Sequence, residues 1–109
     1  MKLELGGNIN LQGFRLDSQE LVIAKKLIGK YAKRIRNYAE YSEIRIELKT
    51  RKKNVKREYE AKVLVDVNGQ IFTSEGRELN LFSLIDGVLK KVLHEIKHKK
   101  SRENPPQGK

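Results

Sequence analysis

His94 and His98 stand four residues apart in a segment, Leu81 to Lys100, that also carries Lys90, Lys91, Lys97 and Lys100. Histidines at i and i+4 share one helix face, the spacing of a helical zinc site. No third ligand stands out elsewhere, and cysteine is absent, so neither a metal site nor a thiol nucleophile is expected. The lysines point to different chemistry. A line of cations on one helix face is suited to phosphate, and a second line exists in Lys26, Lys30, Lys33 and Arg34.

These residues need elements to hold them. In the closing segment Leu81, Ile85, Val88, Val92 and Ile96 recur at three- and four-residue steps, an apolar stripe for a core. Opposite it lie Ser83, Gly87, Lys90, Lys91, His94, Lys97 and His98. Asn80 is the expected N-cap, and the helix is expected to run to about Ser101. An earlier helix, capped by Asp17 or Ser18 and running to about Tyr38, buries Leu21, Ala24, Ile28, Tyr31 and Ile35. Lys26, Lys30 and Lys33 lie on its opposite face, and Arg34 flanks the stripe. Gly87 costs a helix about 1 kcal/mol relative to Ala. Its outer position suits either close approach of a phosphate backbone or a tolerated surface glycine.

Between and before the helices the period is two. Leu3, Leu5, Ile9 and Leu11 predict a first strand over residues 2–11, bulged at Gly6-Gly7. Ile44, Ile46 and Leu48 mark a strand over 42–49, and residues 51–56 read as a connector. Tyr59, Ala61, Val63, Val65 and Val67 mark the next strand, and Asn68-Gly69 is a two-residue hairpin turn. Residues 70–75 return as the fourth strand, with Phe72 across from Val65. Residues 1–101 thus form one α+β domain, βαβββα, a four-stranded sheet with two helices packed on one face. The polar stretch 102–109, with paired prolines, is expected to be disordered.

The chain has 109 residues and a net charge of +10, from 24 Lys and Arg against 14 Asp and Glu. Six basic residues oppose one acid in residues 18–36 and again in 87–102, and residues 49–57 hold six with no acid. Glu43, Glu47, Glu58, Glu60 and Asp66 sit on the strands, so the expected molecule has a basic helical layer and a more neutral sheet back. Such polarity calls for a polyanionic partner, nucleic acid or an anionic membrane surface. No apolar run is long enough to span a membrane and no signal-peptide pattern opens the chain, so a cytoplasmic location is expected. No phosphate-cradling glycine motif and no carboxylate pair supports an enzyme; Asp86 reads as a dipole or hydrogen-bonding partner.

The run Val65 to Lys100, with its glycine turn, polar link and closing helix, resembles the ribosome hibernation promoting factor family, also called ribosome-associated inhibitor or protein Y. Asn80 takes the place of that helix's first Asp, Phe82 that of its aromatic, and Ile85-Asp86 match directly. Lys91 falls on the characteristic lysine, Lys97 and Lys99 on the basic end, and His94 where Arg is usual. In the first helix Tyr31, Arg34 and Ile35 align, while Gly13-Phe14-Arg15-Leu16 looks like an insertion. The resemblance implies a non-enzymatic, cofactor-free factor. Its helical side would bind the small ribosomal subunit's rRNA in the mRNA and tRNA channel near the decoding region and stop translation. It further implies a short form acting as a monomer when bound, with no membrane or small-molecule partner. The RNA-binding residues expected on this reading are Lys26, Lys30, Lys33, Arg34, Lys90, Lys91, His94, Lys97, His98 and Lys100. Two other readings remain open: a general double-stranded RNA binder recognising A-form shape, and a protein-interaction module using an edge strand and the exposed Val22 and Ile23.

Overall fold

The computed structural model describes the backbone of residues 2–4, 8–53 and 56–103, and the side chains of residues 8–52 and 56–99. The elements follow the order β1 (Lys2–Glu4), β2 (Ile9–Gln12), α1 (Ser18–Arg36), β3 (Glu43–Lys53), β4 (Lys56–Val67), β5 (Gln70–Glu78) and α2 (Leu81–Glu103). The expected α+β arrangement of strands and helices is present.

Alternation decides which sheet face is covered. Ile44, Ile46 and Leu48 of β3, Ala61, Val63 and Val65 of β4, and Phe72 of β5 are all buried. Antiparallel pairing brings Ile46 opposite Val63 and Val65 opposite Phe72, so these side chains share one face. Against that face pack the stripes expected from the sequence, with Ala24, Ile28, Tyr31 and Ile35 of α1 and Leu81, Ile85, Val88, Val92 and Ile96 of α2 all buried. Each fully buried aliphatic side chain contributes on the order of 1.5–3 kcal/mol from area alone.

The turns and caps follow the residue types. Asn68 and Gly69 both have positive φ, 52° and 91°, as a type I′ hairpin demands, and the Gly69 N–H donates to the Asp66 carboxylate at 2.8 Å. Asp17 caps α1: its carboxylate accepts from the Glu20 N–H at 2.8 Å, and Glu20 accepts in return from the Asp17 N–H at 3.3 Å. Asn80 caps α2 by accepting from the Ser83 N–H at 2.9 Å. Gly76 lets α2 settle on β5, since a Cβ there would meet Val88 Cγ1 at 3.1 Å.

Three expectations about boundaries change. The first twelve residues hold two short strands, where one bulged strand was expected: β1 pairs antiparallel with β2, and β2 runs parallel to β3 with Ile9 beside Ile44. The four expected strands are therefore β2 to β5, with β1 added at the edge. The proposed bulge at Gly6-Gly7 lies outside the described residues. Second, most of the expected connector 51–56 is strand, because β3 and β4 stay paired out to Lys53 opposite Lys56. Charged residues on both faces of an exposed ribbon leave no alternating apolar pattern to reveal it. Third, α1 ends at Arg36, while β5 reaches Glu78 and α2 reaches Glu103. The rest of the polar tail, 104–109, lies outside the described residues.

Candidate nucleic-acid interface

The two helices touch along a seam. Tyr31, buried on α1, donates its hydroxyl hydrogen to Asp86 Oδ1 on α2 at 2.6 Å. Further along, Lys97 Nζ of α2 lies 5.3 Å from the centre of the Tyr38 ring, just beyond the end of α1. The later residue of one helix thus meets the later residue of the other, so the helices run in the same direction. Their outer surfaces meet along this seam, hereafter the cleft.

Cations crowd this cleft. The Arg34 guanidinium sits 5.4 Å and Lys30 Nζ 5.9 Å from the Tyr31 ring centre. Lys90 Nζ lies 3.9 Å from Asp86 Oδ2, one turn along α2, with its side chain 71% exposed. Exposed cation–π contacts of this kind are worth about 0.5–1 kcal/mol. Here they pre-orient charge more than they neutralise it. Burial, then the hydrogen bond to Asp86 and that carboxylate's charge, push the Tyr31 hydroxyl up to about 12. Tyr31 therefore stays a neutral donor, and the carboxylate it holds also pairs with Lys90.

The ten expected residues divide into groups. Lys30, Arg34, Lys90 and Lys97 line the cleft, while Lys26 and Lys33 are exposed elsewhere on α1. Lys91 turns toward the sheet edge, where its amine donates to the Glu75 carbonyl at 3.1 Å. His94 and His98 lie on the same flank, beside Phe72, Glu95 and Lys99, with their Nε2 atoms 2.9 Å apart. Residues 94–98 do follow the His-Glu-x-x-His order, so the absence of a third ligand is what weighs against a zinc site. Among the described residues no group of three ligating side chains gathers anywhere. The Lys100 side chain lies outside the described residues. Asp86 is a hydrogen-bonding partner, one of the two roles expected for it.

Sequence reasoning treated Tyr31 as core and left Tyr38 without a role. A signal existed in the tyrosines seven residues apart on the flank that carries Lys30 and Arg34. The pairing of Tyr31 with Asp86, 55 residues away, had none. Val22 and Ile23, at 51% and 49% exposure, do form an adjacent apolar pair on α1. Among the described residues no helix is long and apolar enough to cross a membrane.

No family model matches the chain, and no curated protein matches it in sequence. Solved structures do match it in shape. The Thermus thermophilus Protein Y N-terminal domain superposes with a TM-score of 0.59 at 18% identity, covering 82% of this chain and 93% of that one. The chain has the fold of that domain. A ribosomal subunit interface protein from Coxiella burnetii gives a TM-score of 0.61 at 16% identity, covering 85% of this chain and 97% of its own. Each likeness covers more than four-fifths of this chain and more than nine-tenths of the other, and what it shows is a shared fold.

Proposed function

We propose that this protein is a non-enzymatic translation inhibitor of the hibernation-factor kind, which binds small-subunit rRNA near the decoding region and blocks access of mRNA and tRNA. The observation that carries the reading is the cleft between α1 and α2. Lys30, Arg34, Lys90 and Lys97 gather there over Tyr31 and Tyr38, from two helices far apart in sequence. Two structural relatives, a Protein Y domain and a ribosomal subunit interface protein, support the same partner. Such a surface binds through phosphates, with affinity that falls steeply as counterions compete. The polar residues of the cleft fix orientation and need no reactive group.

The test is sedimentation of the purified protein with small subunits, with full ribosomes and with plain RNA duplex at matched salt. Cosedimentation with small subunits at far higher affinity than for duplex, together with inhibition of a translation extract, is the expected result. Equal affinity for duplex would replace this reading with general A-form recognition.

A further inference from the structure

β3 and β4 extend past the rest of the sheet. The last β4 residue paired with β5 is Tyr59, opposite Glu78, and β2 reaches along β3 only to Glu47. Arg51, Lys52 and Lys53 pair with Glu58, Arg57 and Lys56 alone and form a free two-stranded ribbon. Its faces differ in charge. On the back, Arg51 is opposite Glu58 and bonds Glu60 at 3.3 Å, while Arg77 bridges Glu58 and Glu60 at 4.0 and 3.3 Å. On the helix side, Lys52 lies directly opposite Arg57, two cations face to face. Among the described residues neither forms an ion pair. Like charges placed directly across a ladder disfavour the pairing that holds them. Folding alone gives no reason for the arrangement.

A groove of about 630 Å³ opens at the base of this face, lined by Arg15, Leu16, Thr50, Arg57 and Tyr59 among others, with no carboxylate in its lining. Arg15 belongs to the four-residue stretch 13–16 that looks like an insertion in the sequence. That stretch is firmly seated. Gly13 has φ +75° and packs so closely that a Cβ would collide with the Leu48 carbonyl oxygen, while Phe14 is 3% exposed in the core. Gly13 and Phe14 thereby fix Arg15 over the groove.

We propose that the helix-side face of the ribbon, with Arg15, Lys52 and Arg57, is a second RNA-binding site that takes the sugar-phosphate backbone. An open groove running onto a free ribbon suits an extended polyanion better than an enclosed small ligand. Tyr59, at 7% exposure, offers no face for base stacking, so the contact is to phosphate and is sequence-independent. The ribbon lies beyond the first turns of α1, and Ser18 to Lys30 spans roughly 18 Å at 1.5 Å per residue. The site is therefore separate from the helical cleft. This inference rests on the ribosomal RNA reading above and extends its footprint.

The test compares two full-length triple variants of equal charge change: Arg15→Ala with Lys52→Ala and Arg57→Ala, and Lys30→Ala with Arg34→Ala and Lys90→Ala. Binding to purified small subunits is measured across a salt series, with anionic phosphatidylserine vesicles as a parallel arm. Loss of three phosphate contacts lowers the salt slope by about 2 to 3, and the ribbon variant is expected to show this. It should also melt no lower than the parent, because it removes a repulsive pair. Wild-type affinity and slope in the ribbon variant would overturn the inference, while a loss confined to the cleft variant would leave the proposed function standing. Loss in the ribbon variant with normal binding by the cleft variant would uphold the ribbon site and remove the cleft. Ribbon-dependent binding to vesicles, with no binding to subunits, would overturn both. The chain has no cysteine. Lys52→Cys bearing an RNA-cleaving reagent therefore reads the site directly: cuts in subunit RNA uphold it, and their absence from a bound, labelled complex overturns it.

Discussion

Tyr31 and Asp86, 55 residues apart in the chain, are joined by a 2.6 Å hydrogen bond that holds α1 against α2 and keeps an acid beside Lys90 at the cationic cleft. The bond joins the packing of the helices to the electrostatics of their outer face. Tyr31 belongs to the core by its ring and to the interface by its hydroxyl.

That bond has a pH signature. The hydroxyl is pushed from 10.0 to about 12 in the folded protein, so the folded state keeps a proton that the unfolded chain releases first. Its contribution to stability is complete below pH 10 and is lost as pH rises through 12. In an ultraviolet titration one of the four tyrosines should ionise late, and Tyr31→Phe should remove that late step. The Asp86 side chain is 41% exposed, so water replaces the lost donor and the variant should cost only about 1 kcal/mol in denaturant melts.

Neutralising the cleft should act on the salt dependence more than on the fold. Changing Lys30, Arg34, Lys90 and Lys97 together to Ala should lower the salt slope of small-subunit binding by about 3. Circular dichroism should remain native, because surface changes of this kind usually shift stability by only about 0.5 kcal/mol each. Lys91→Ala, whose amine is already engaged by the Glu75 carbonyl, should weaken binding less than Lys90→Ala. The two single-variant affinities, measured side by side, decide this.

Gly87→Ala separates stability from binding. A Cβ there would meet nothing closer than Glu78 Oε2 at 3.9 Å, so Ala fits and should stabilise the helix by about 0.5–1 kcal/mol. Higher melting with unchanged RNA affinity would mark Gly87 as a tolerated surface glycine. Higher melting with weaker binding is the outcome expected if phosphate lies against the helix backbone.

His94→Arg should tighten RNA binding and steepen the salt slope by about 0.7–0.9. It puts a permanent charge and a forked donor on the flank of α2 where His94 now contacts His98 at 2.9 Å. Unchanged affinity in a filter-binding series would place residue 94 outside the footprint.

Gly13→Ala should be the most damaging small substitution in this group. It adds strain at positive φ and a contact with the Leu48 carbonyl that backbone cannot relieve, for a loss of about 2–3 kcal/mol. Thermal melting measures it.

By itself the sequence determined both helices, their buried stripes, the Asn68-Gly69 hairpin and the register of Val65 with Phe72. Each depends on local periodicity, capping or turn stereochemistry that short windows of residues carry. The cations of the two helices were legible for the same reason, as residue types on predictable faces. Tertiary structure alone decided that β2 lies parallel to β3, with a further strand beyond it, and that Tyr31 meets Asp86. It also decided that Lys91 turns toward Glu75 while Lys90 stays at the cleft, and that Lys52 and Arg57 face each other on a ribbon with no apolar pattern to announce it. Such relations join residues far apart in the chain, or depend on which way a long side chain leans. They arise only when burial of the shared core brings separate elements to one place.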